Sequence, residues 1–383
     1  MRPHHTWIGP GCLAEIAAVL ARVRPRKLML VAGPSAYPRS GAQAVVEPAI
    51  AGHAVVRFTG TTANPTLADV KRGIALWRAE QPDAIVAVGG GSVLDLAKLV
   101  GLLGPNAHGW DGSASIGIAP DRSGVPLIAI PTTAGSGAEA TCFATYYVAG
   151  EKRSLSHPLL RPGFVLVDPL LTASMPPQVA AASGLDALAQ AIESLWAIGA
   201  TPDSAVLAEA ALRLILPCLG DLLRAPTPAL RERLARGAHL AGQAINLSRT
   251  TAAHALSYTL TSDLNLAHGH AVALMLPAIF RINASPGQRR VADPRGAAYL
   301  AGVIGRILSI LHCRDGEAAA QFLERQTAAL GLATSFRCGT GAPLADDLAR
   351  RVNAERLGNN PVVLSHRDIV AIYQRLFAAS LAA

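Results

Sequence analysis

Five apolar runs punctuate the first 175 residues and then the pattern stops, a break that constrains the fold more than any other feature. The runs are KLMLVAG at 27–33, HAVVRF at 53–58, DAIVAVGGG at 83–91, PLIAIPTT at 126–133 and FVLVDP at 164–169. Each is apolar throughout, the pattern of strands buried on both faces, and helical stretches lie between them. They predict an α/β domain over 1–175, a Rossmann-like parallel sheet covered by helices. From about 176 onward, Ala/Leu-rich segments with 3.6-residue periodicity replace the strands, so 176–383 is expected to be an all-helical domain. Pro176 and Pro177 mark the junction and open its first helix, with further breaks at Pro226 to Pro228 and over 283–296.

With 383 residues, 51% hydrophobic and 16% charged, the chain has enough apolar material for two cores and too little charge for a disordered protein. No apolar run is long enough to span a membrane, and MRPHHTWIGPG does not read as a signal peptide, so a cytoplasmic location is expected. Cys12, Cys142, Cys218, Cys313 and Cys338 are widely spaced, which predicts reduced thiols and no zinc knuckle. A net charge of +8 invites a nucleic-acid reading, but the arginines are scattered. An anionic small substrate or a nucleotide cofactor accounts for local positive charge better.

DAIVAVGGGSVLDLAK runs from a strand through three glycines into a helix. Gly89, Gly90 and Gly91 let the backbone approach a diphosphate, while Ser92 and the first helical N–H groups supply donors at the positive end of the helix dipole. The spacing is not GxGxxG, and a tight turn without a ligand is the bland alternative. A second polar turn, IAIPTTAGSGAEAT, places Thr132, Thr133 and Ser136 at the end of another buried strand, where open α/β sheets bind ligands.

In the helical half, Asp186 and Gln190 in GLDALAQAIES are four apart and share a helix face. His254 and His268, in TTAAHALSYTL and LNLAHGHAVAL, are candidates to pack against that face. A carboxylate, an amide and two imidazoles suit Fe²⁺ or Zn²⁺, with the neutral amide as the weak member.

Together these motifs resemble the iron-dependent, or group III, alcohol dehydrogenase family, from about residue 5 to the tail NNPVVLSHRDIVAIY. The resemblance implies a nicotinamide-dependent dehydrogenase or reductase with the cofactor in a cleft between its domains. It implies diphosphate contacts at Gly89, Gly90, Gly91 and Ser92, Asp95 near the nicotinamide, second-loop contacts at Thr132, Thr133 and Ser136, and Leu171 near the adenine. It also implies metal ligation by Asp186, His254 and His268. Position 190 is His in most relatives and Gln here; position 258, often a proton-relaying His, is Tyr258. His270 is a candidate replacement for either imidazole. Gly33 stands where many relatives carry an Asp for the ribose, so NADH and NADPH should be poorly discriminated.

The runs KRSLSHPLLRPGFVLVDP, SGLDALAQAIESLWA, HLAGQAINLSRTTAAHALSYTLT and AHGHAVALMLPAIF look like the family's phosphonoacetaldehyde reductase branch, in which Gln follows DAL at this place. That resemblance implies reduction of an anionic aldehyde to 2-hydroxyethylphosphonate, with a pocket of cations and donors. One candidate cluster is Lys152, Arg153, Ser154, Ser156 and His157, unless it forms an exposed hairpin; the other is Asn246, Arg249, Thr250 and Thr251. Alternatives are a general alcohol dehydrogenase, a maleylacetate-type reductase, a non-redox lyase like dehydroquinate synthase, or a metal-free relative. The expected partner is a small anionic aldehyde, without nucleic acid or membrane, and a homodimer is common for this fold.

Overall fold

A computed structural model describes residues 4–61, 63–106, 110, 124–336 and 341–378. The chain divides into two compact units, 1–176 with 227–242, and 177–226 with 243–383. The first division falls where the strand pattern stops. Residues 227–242 differ from expectation, because they pack with the first unit. Within that unit Arg236 donates to the Ile8 carbonyl at 2.9 Å, Arg231 donates to the Thr172 carbonyl at 3.0 Å, and His239 Nδ1 bonds Glu139 Oε1 at 3.0 Å. Helical periodicity identifies a helix but does not say which core it covers.

The first unit contains β1 (His5–Ile8), β2 (Lys27–Ala32), β3 (Ala54–Phe58), β4 (Ala84–Gly89), β5 (Leu127–Pro131), β6 (Phe143–Val148), β7 (Glu151–Ser156) and β8 (Phe164–Val167). Six form a parallel sheet in the order β1-β8-β5-β4-β2-β3. The five apolar runs are β2, β3, β4, β5 and β8. Leu28, Leu30, Val86, Val88, Ile128 and Ile130 pack with Ile16, Leu20, Val46 and Ile50 from the flanking helices. Full burial of each Leu, Ile or Val side chain contributes roughly 1.5–3 kcal/mol, so a sheet face of this size dominates the unit's stability. The chain steps outward from β2 to β3, then returns to place β4 on the other side of β2. This reversal opens a crevice at the carboxyl ends of β2 and β4, where the triple glycine lies.

β1 and the antiparallel hairpin of β6 and β7 lie outside the five runs. HTWI is short and half polar, and KRSLS carries cations and hydroxyls, so neither has a buried strand's composition. Their pairing supplies what composition does not: β1 matches His5 to Phe164, and the hairpin sets Thr145 opposite Ser154.

The second unit is helical, with no named strand among its described residues. Its central helix, Pro177–Trp196, begins at the predicted proline and is buried at every position from 180 to 196 except Ser183. The helices Pro202–Leu219, His268–Ala284 and Ala297–Leu311 pack around it. Among the described residues no single helix is long and apolar enough to cross a membrane. Cys12, Cys142, Cys218 and Cys313 are free thiols; Cys338 lies outside the described residues.

Candidate metal centre and dinucleotide loop

Asp186, His254 and His268 converge. One ligand atom from each lies within 4.8 Å of the others, and His254 Nε2 stands 3.3 Å from Asp186 Oδ1. The two imidazole rings are 5.4 Å apart at 71°. Asp186 rides on the central helix, His254 on the first turn of the helix Ala252–Leu264, and His268 opens the helix His268–Ala284. A single glycine makes this meeting possible. A Cβ on Gly269 would come 2.0 Å from the Ala182 carbonyl oxygen and 2.8 Å from Asp186 Cβ, so only glycine lets the two helices touch there. Gly269→Ala is expected to lower the thermal midpoint by several degrees and weaken metal binding, read by calorimetry and chelator competition; an unchanged midpoint would contradict the close approach.

Glu193 is the residue that motif reading missed. It lies seven positions after Asp186, on the same helix face, and is fully buried. Its Oε1 accepts from the Thr251 N–H at 3.1 Å, the Thr251 hydroxyl at 2.6 Å and the Ala253 N–H at 3.0 Å. Its Oε2 takes a short contact from His254 Nδ1. One carboxylate therefore caps the N-terminus of the His254 helix and holds the imidazole with Nε2 turned toward Asp186. Burial pushes the His254 pKa down, and the Glu193 and Asp186 carboxylates at its two nitrogens reverse this, to about 9. Positive charge is thus favoured between these carboxylates, and a carboxylate with two imidazoles is a donor set that fits a divalent transition metal.

Gln190 is buried one turn from Asp186 and presents a neutral amide on the same helix face. Tyr258 follows His254 by one turn, and its ring centroid lies 5.9 Å from that of His268. Burial raises its pKa, opposed by the positive charge of Arg356. His270 does not join the cluster: its Nε2 bonds the Ala333 carbonyl at 2.7 Å and its ring packs beside Phe336. Two residues past His268 is nearly the opposite side of a helix, which accounts for the difference.

In the first unit the two polar turns adjoin. A Cβ on Gly91 would meet Ser136 Oγ at 2.6 Å, and one on Gly90 would meet Thr133 Cγ2 at 3.4 Å. The backbone of Thr132 donates to the Gly89 carbonyl at 3.0 Å, whereas its buried hydroxyl has no partner among the described residues. Bare glycine backbone, a helix start at Gly91 and an unsatisfied hydroxyl fit a nucleotide diphosphate. Ser92 Oγ accepts from the Asn64 N–H at 3.2 Å, and Gly33 lies just past β2.

Several of the expected contact residues also have partners within the protein. Asp95 accepts from the Thr145 N–H at 2.9 Å and the Thr145 hydroxyl at 2.8 Å, and lies 3.5 Å from the fully buried Lys98 amine. Lys98 in turn donates to Thr141 Oγ1 and the Phe143 carbonyl, each at 2.9 Å. Asp95 clamps the hairpin, a role set by residues fifty positions away. Leu171 belongs to the hydrophobic core and is 4% exposed. Lys152 and Arg153 are adjacent on β7, so their side chains point to opposite faces, and Arg153 pairs with Glu151 at 3.7 Å. His157 Nδ1 accepts from the Leu159 N–H at 3.1 Å, and the Ser154 hydroxyl is buried. In the other cluster, Thr251 is held by Glu193, the Thr250 carbonyl accepts from Asn359, and Asn246 and Arg249 are partly exposed. Arg249 has a left-handed backbone, φ 65°.

Both units have counterparts among known proteins. A model described as "Iron-containing alcohol dehydrogenase" matches residues 3–169, and one described as "Fe-containing alcohol dehydrogenase family, C-terminal" matches 180–377. Long-chain-alcohol dehydrogenase 1 of Geobacillus thermodenitrificans is 30% identical, covering 99% of this chain and 96% of the relative. Phosphonoacetaldehyde reductase of Streptomyces viridochromogenes is 37% identical over 73% of this chain and 72% of the relative. Among solved structures, sulfoacetaldehyde reductase from Bifidobacterium kashiwanohense in complex with NAD⁺ superimposes with a TM-score of 0.81 at 26% identity, covering 98% of this chain and 97% of the other. With both halves matched by its models and a full-length relative at this identity, the chain belongs to the iron-containing alcohol dehydrogenase family.

Proposed function

We propose that this protein is a metal-dependent NAD(P)H reductase of a small anionic aldehyde, phosphonoacetaldehyde first, forming 2-hydroxyethylphosphonate. The aldehyde takes a hydride and a proton; NAD(P)H becomes NAD(P)⁺. The convergence of Asp186, His254 and His268 carries this reading. Those three residues would hold the metal, Fe²⁺ or Zn²⁺, and a bound ion would supply Lewis-acid polarisation of the carbonyl. The adjoining glycine and Thr132 turns would hold the dinucleotide, which supplies the hydride.

The protein's own contribution is orientation. Glu193 holds His254 through Nδ1 and so turns Nε2 toward Asp186, the orientation in which it would ligate a bound ion. Gln190 offers its amide oxygen as a ligand or as a hydrogen-bond acceptor for water. Tyr258 is the candidate donor of the proton to the product oxygen, with a raised pKa that keeps its hydroxyl protonated at neutral pH. The substrate assignment draws on two relatives whose names give two-carbon aldehydes bearing an anionic group, phosphonoacetaldehyde and sulfoacetaldehyde.

Initial-rate assays test it. Phosphonoacetaldehyde is expected to exceed butyraldehyde in kcat/KM by about tenfold or more, the scale of one or two charged hydrogen bonds. NADH and NADPH should differ by less than about tenfold, since Gly33 supplies no carboxylate to reject a 2′-phosphate. Better turnover of butyraldehyde would reject the anionic substrate.

A further inference from the structure

Thr251 is the N-cap residue of the helix Ala252–Leu264, which bears His254, yet its side chain makes no capping hydrogen bond. An N-cap threonine ordinarily accepts from the second or third N–H of its own helix. Here Glu193 Oε1 takes the Ala253 N–H instead, and the Thr251 hydroxyl lies 2.6 Å from Glu193 Oε1 and 2.9 Å from the indole Nε1 of Trp196. An indole N–H can only donate. Glu193 Oε1, already facing the Thr251 and Ala253 N–H groups, is an acceptor, so the single hydroxyl proton of Thr251 points to it. The chain has one direction: Trp196 donates to Thr251, Thr251 donates to Glu193, and the other oxygen of Glu193 meets His254 Nδ1. All four side chains are buried, where successive hydrogen bonds reinforce one another.

Trp196 follows Glu193 by three residues on the central helix, and its ring meets Phe280 edge-on, with centroids 5.4 Å apart at 72°. Phe280 belongs to the helix that His268 opens. The indole thus joins the three elements that bring Asp186, His254 and His268 together.

We propose that Trp196, acting through Thr251, is a positioning residue for the metal-ligand cluster, a role that rests on the metal-dependent reading above. With its hydroxyl oxygen engaged by the indole, Thr251 holds its proton on Glu193 and fixes the rotation of the carboxylate. The carboxylate in turn holds the His254 ring with Nε2 toward Asp186. Without the indole donor, the Thr251 hydroxyl can turn back to its own helix, where N-cap threonines bond. Glu193 then loses a donor, and the imidazole loses its fixed orientation.

Zinc titration of metal-free protein against a fluorescent chelator reads the affinity of the wild type, Trp196→Phe, Thr251→Val, Thr251→Ser and the double variant Trp196→Phe/Thr251→Val. Phenylalanine keeps a buried ring beside Phe280 and removes the N–H. Trp196→Phe and Thr251→Val are each expected to weaken zinc binding about tenfold, whereas Thr251→Ser, which keeps the hydroxyl, should stay within about threefold of wild type. The double variant should bind no more weakly than the worse of the two single variants, because both break one chain. In protein labelled with ¹⁵N at its four tryptophans, the indole signal missing from Trp196→Phe should move on zinc addition in the wild type and stay still in Thr251→Val. A tryptophan that only fills space would show neither effect. Wild-type zinc affinity in Trp196→Phe, or additive losses in the double variant, would overturn the proposal. Should Trp196→Phe fail to fold, a wild type in which zinc moves none of the indole signals overturns it as well. A wild type that binds zinc together with an equally tight Trp196→Phe rejects the role of Trp196 alone. A wild type that binds neither zinc nor ferrous iron rejects the metal-dependent reading and this inference together.

Discussion

Asp186→Ala is expected to reduce kcat/KM about a thousandfold or more and to abolish stoichiometric metal binding. The carboxylate is the only anionic donor among the three converging side chains, and the two imidazoles that remain are neutral ligands. A metal that polarises a carbonyl contributes several kcal/mol at the transition state, and each 1.36 kcal/mol is a factor of ten. The protein itself should persist, because the substitution removes a charge beside two imidazoles and leaves an alanine in an Ala/Leu helix. Metal analysis of protein prepared without chelator, together with initial rates, decides it. One equivalent of metal at full affinity in Asp186→Ala would remove Asp186 from the site.

The second large effect belongs to Glu193. Glu193→Ala strands the buried Thr251 N–H and hydroxyl and the Ala253 N–H, and each lost buried partner costs about 1–3 kcal/mol. A loss of several kcal/mol is expected, with a much lower thermal midpoint. Glu193→Gln is the sharper probe. Its amide can still accept from the backbone, but if its NH₂ faces His254 Nδ1 the ring must carry its proton on Nε2, the nitrogen turned toward Asp186. A protonated nitrogen cannot ligate, so metal affinity should fall about 10–100-fold, with the thermal midpoint falling less than in Glu193→Ala. Competition with a fluorescent chelator measures the change. Wild-type affinity in Glu193→Gln would show that the carboxylate serves the helix alone.

The sheet was legible because both-face burial writes itself as uninterrupted apolar runs, and five of its six strands carry one. β1 does not, since HTWI gains its place by pairing with β8 at the sheet edge. Asp186, His254 and His268 could be picked out because polar side chains in Ala-rich helices are conspicuous, and the resemblance supplied their partnership. Glu193 carried an equally clear signal, a carboxylate two turns after Asp186 on one face, but nothing local says that a carboxylate caps a helix nearly sixty residues downstream. Sequence proximity to a site residue does not reveal a side chain's partners within the protein: those of His270, Asp95 and Leu171 meet the Ala333 carbonyl, the Thr145 hairpin and the core.

The return of 227–242 to the first unit means that no single cut separates the protein into two self-sufficient pieces. A fragment ending at residue 176 would lack His239 and leave the buried Glu139 carboxylate without its imidazole partner, a defect on the scale of about 3–5 kcal/mol. The remainder would carry a loose helical segment with nothing to cover. The two halves are interleaved covalently, so dissecting this enzyme calls for circular permutation or a supplied 227–242 peptide rather than truncation.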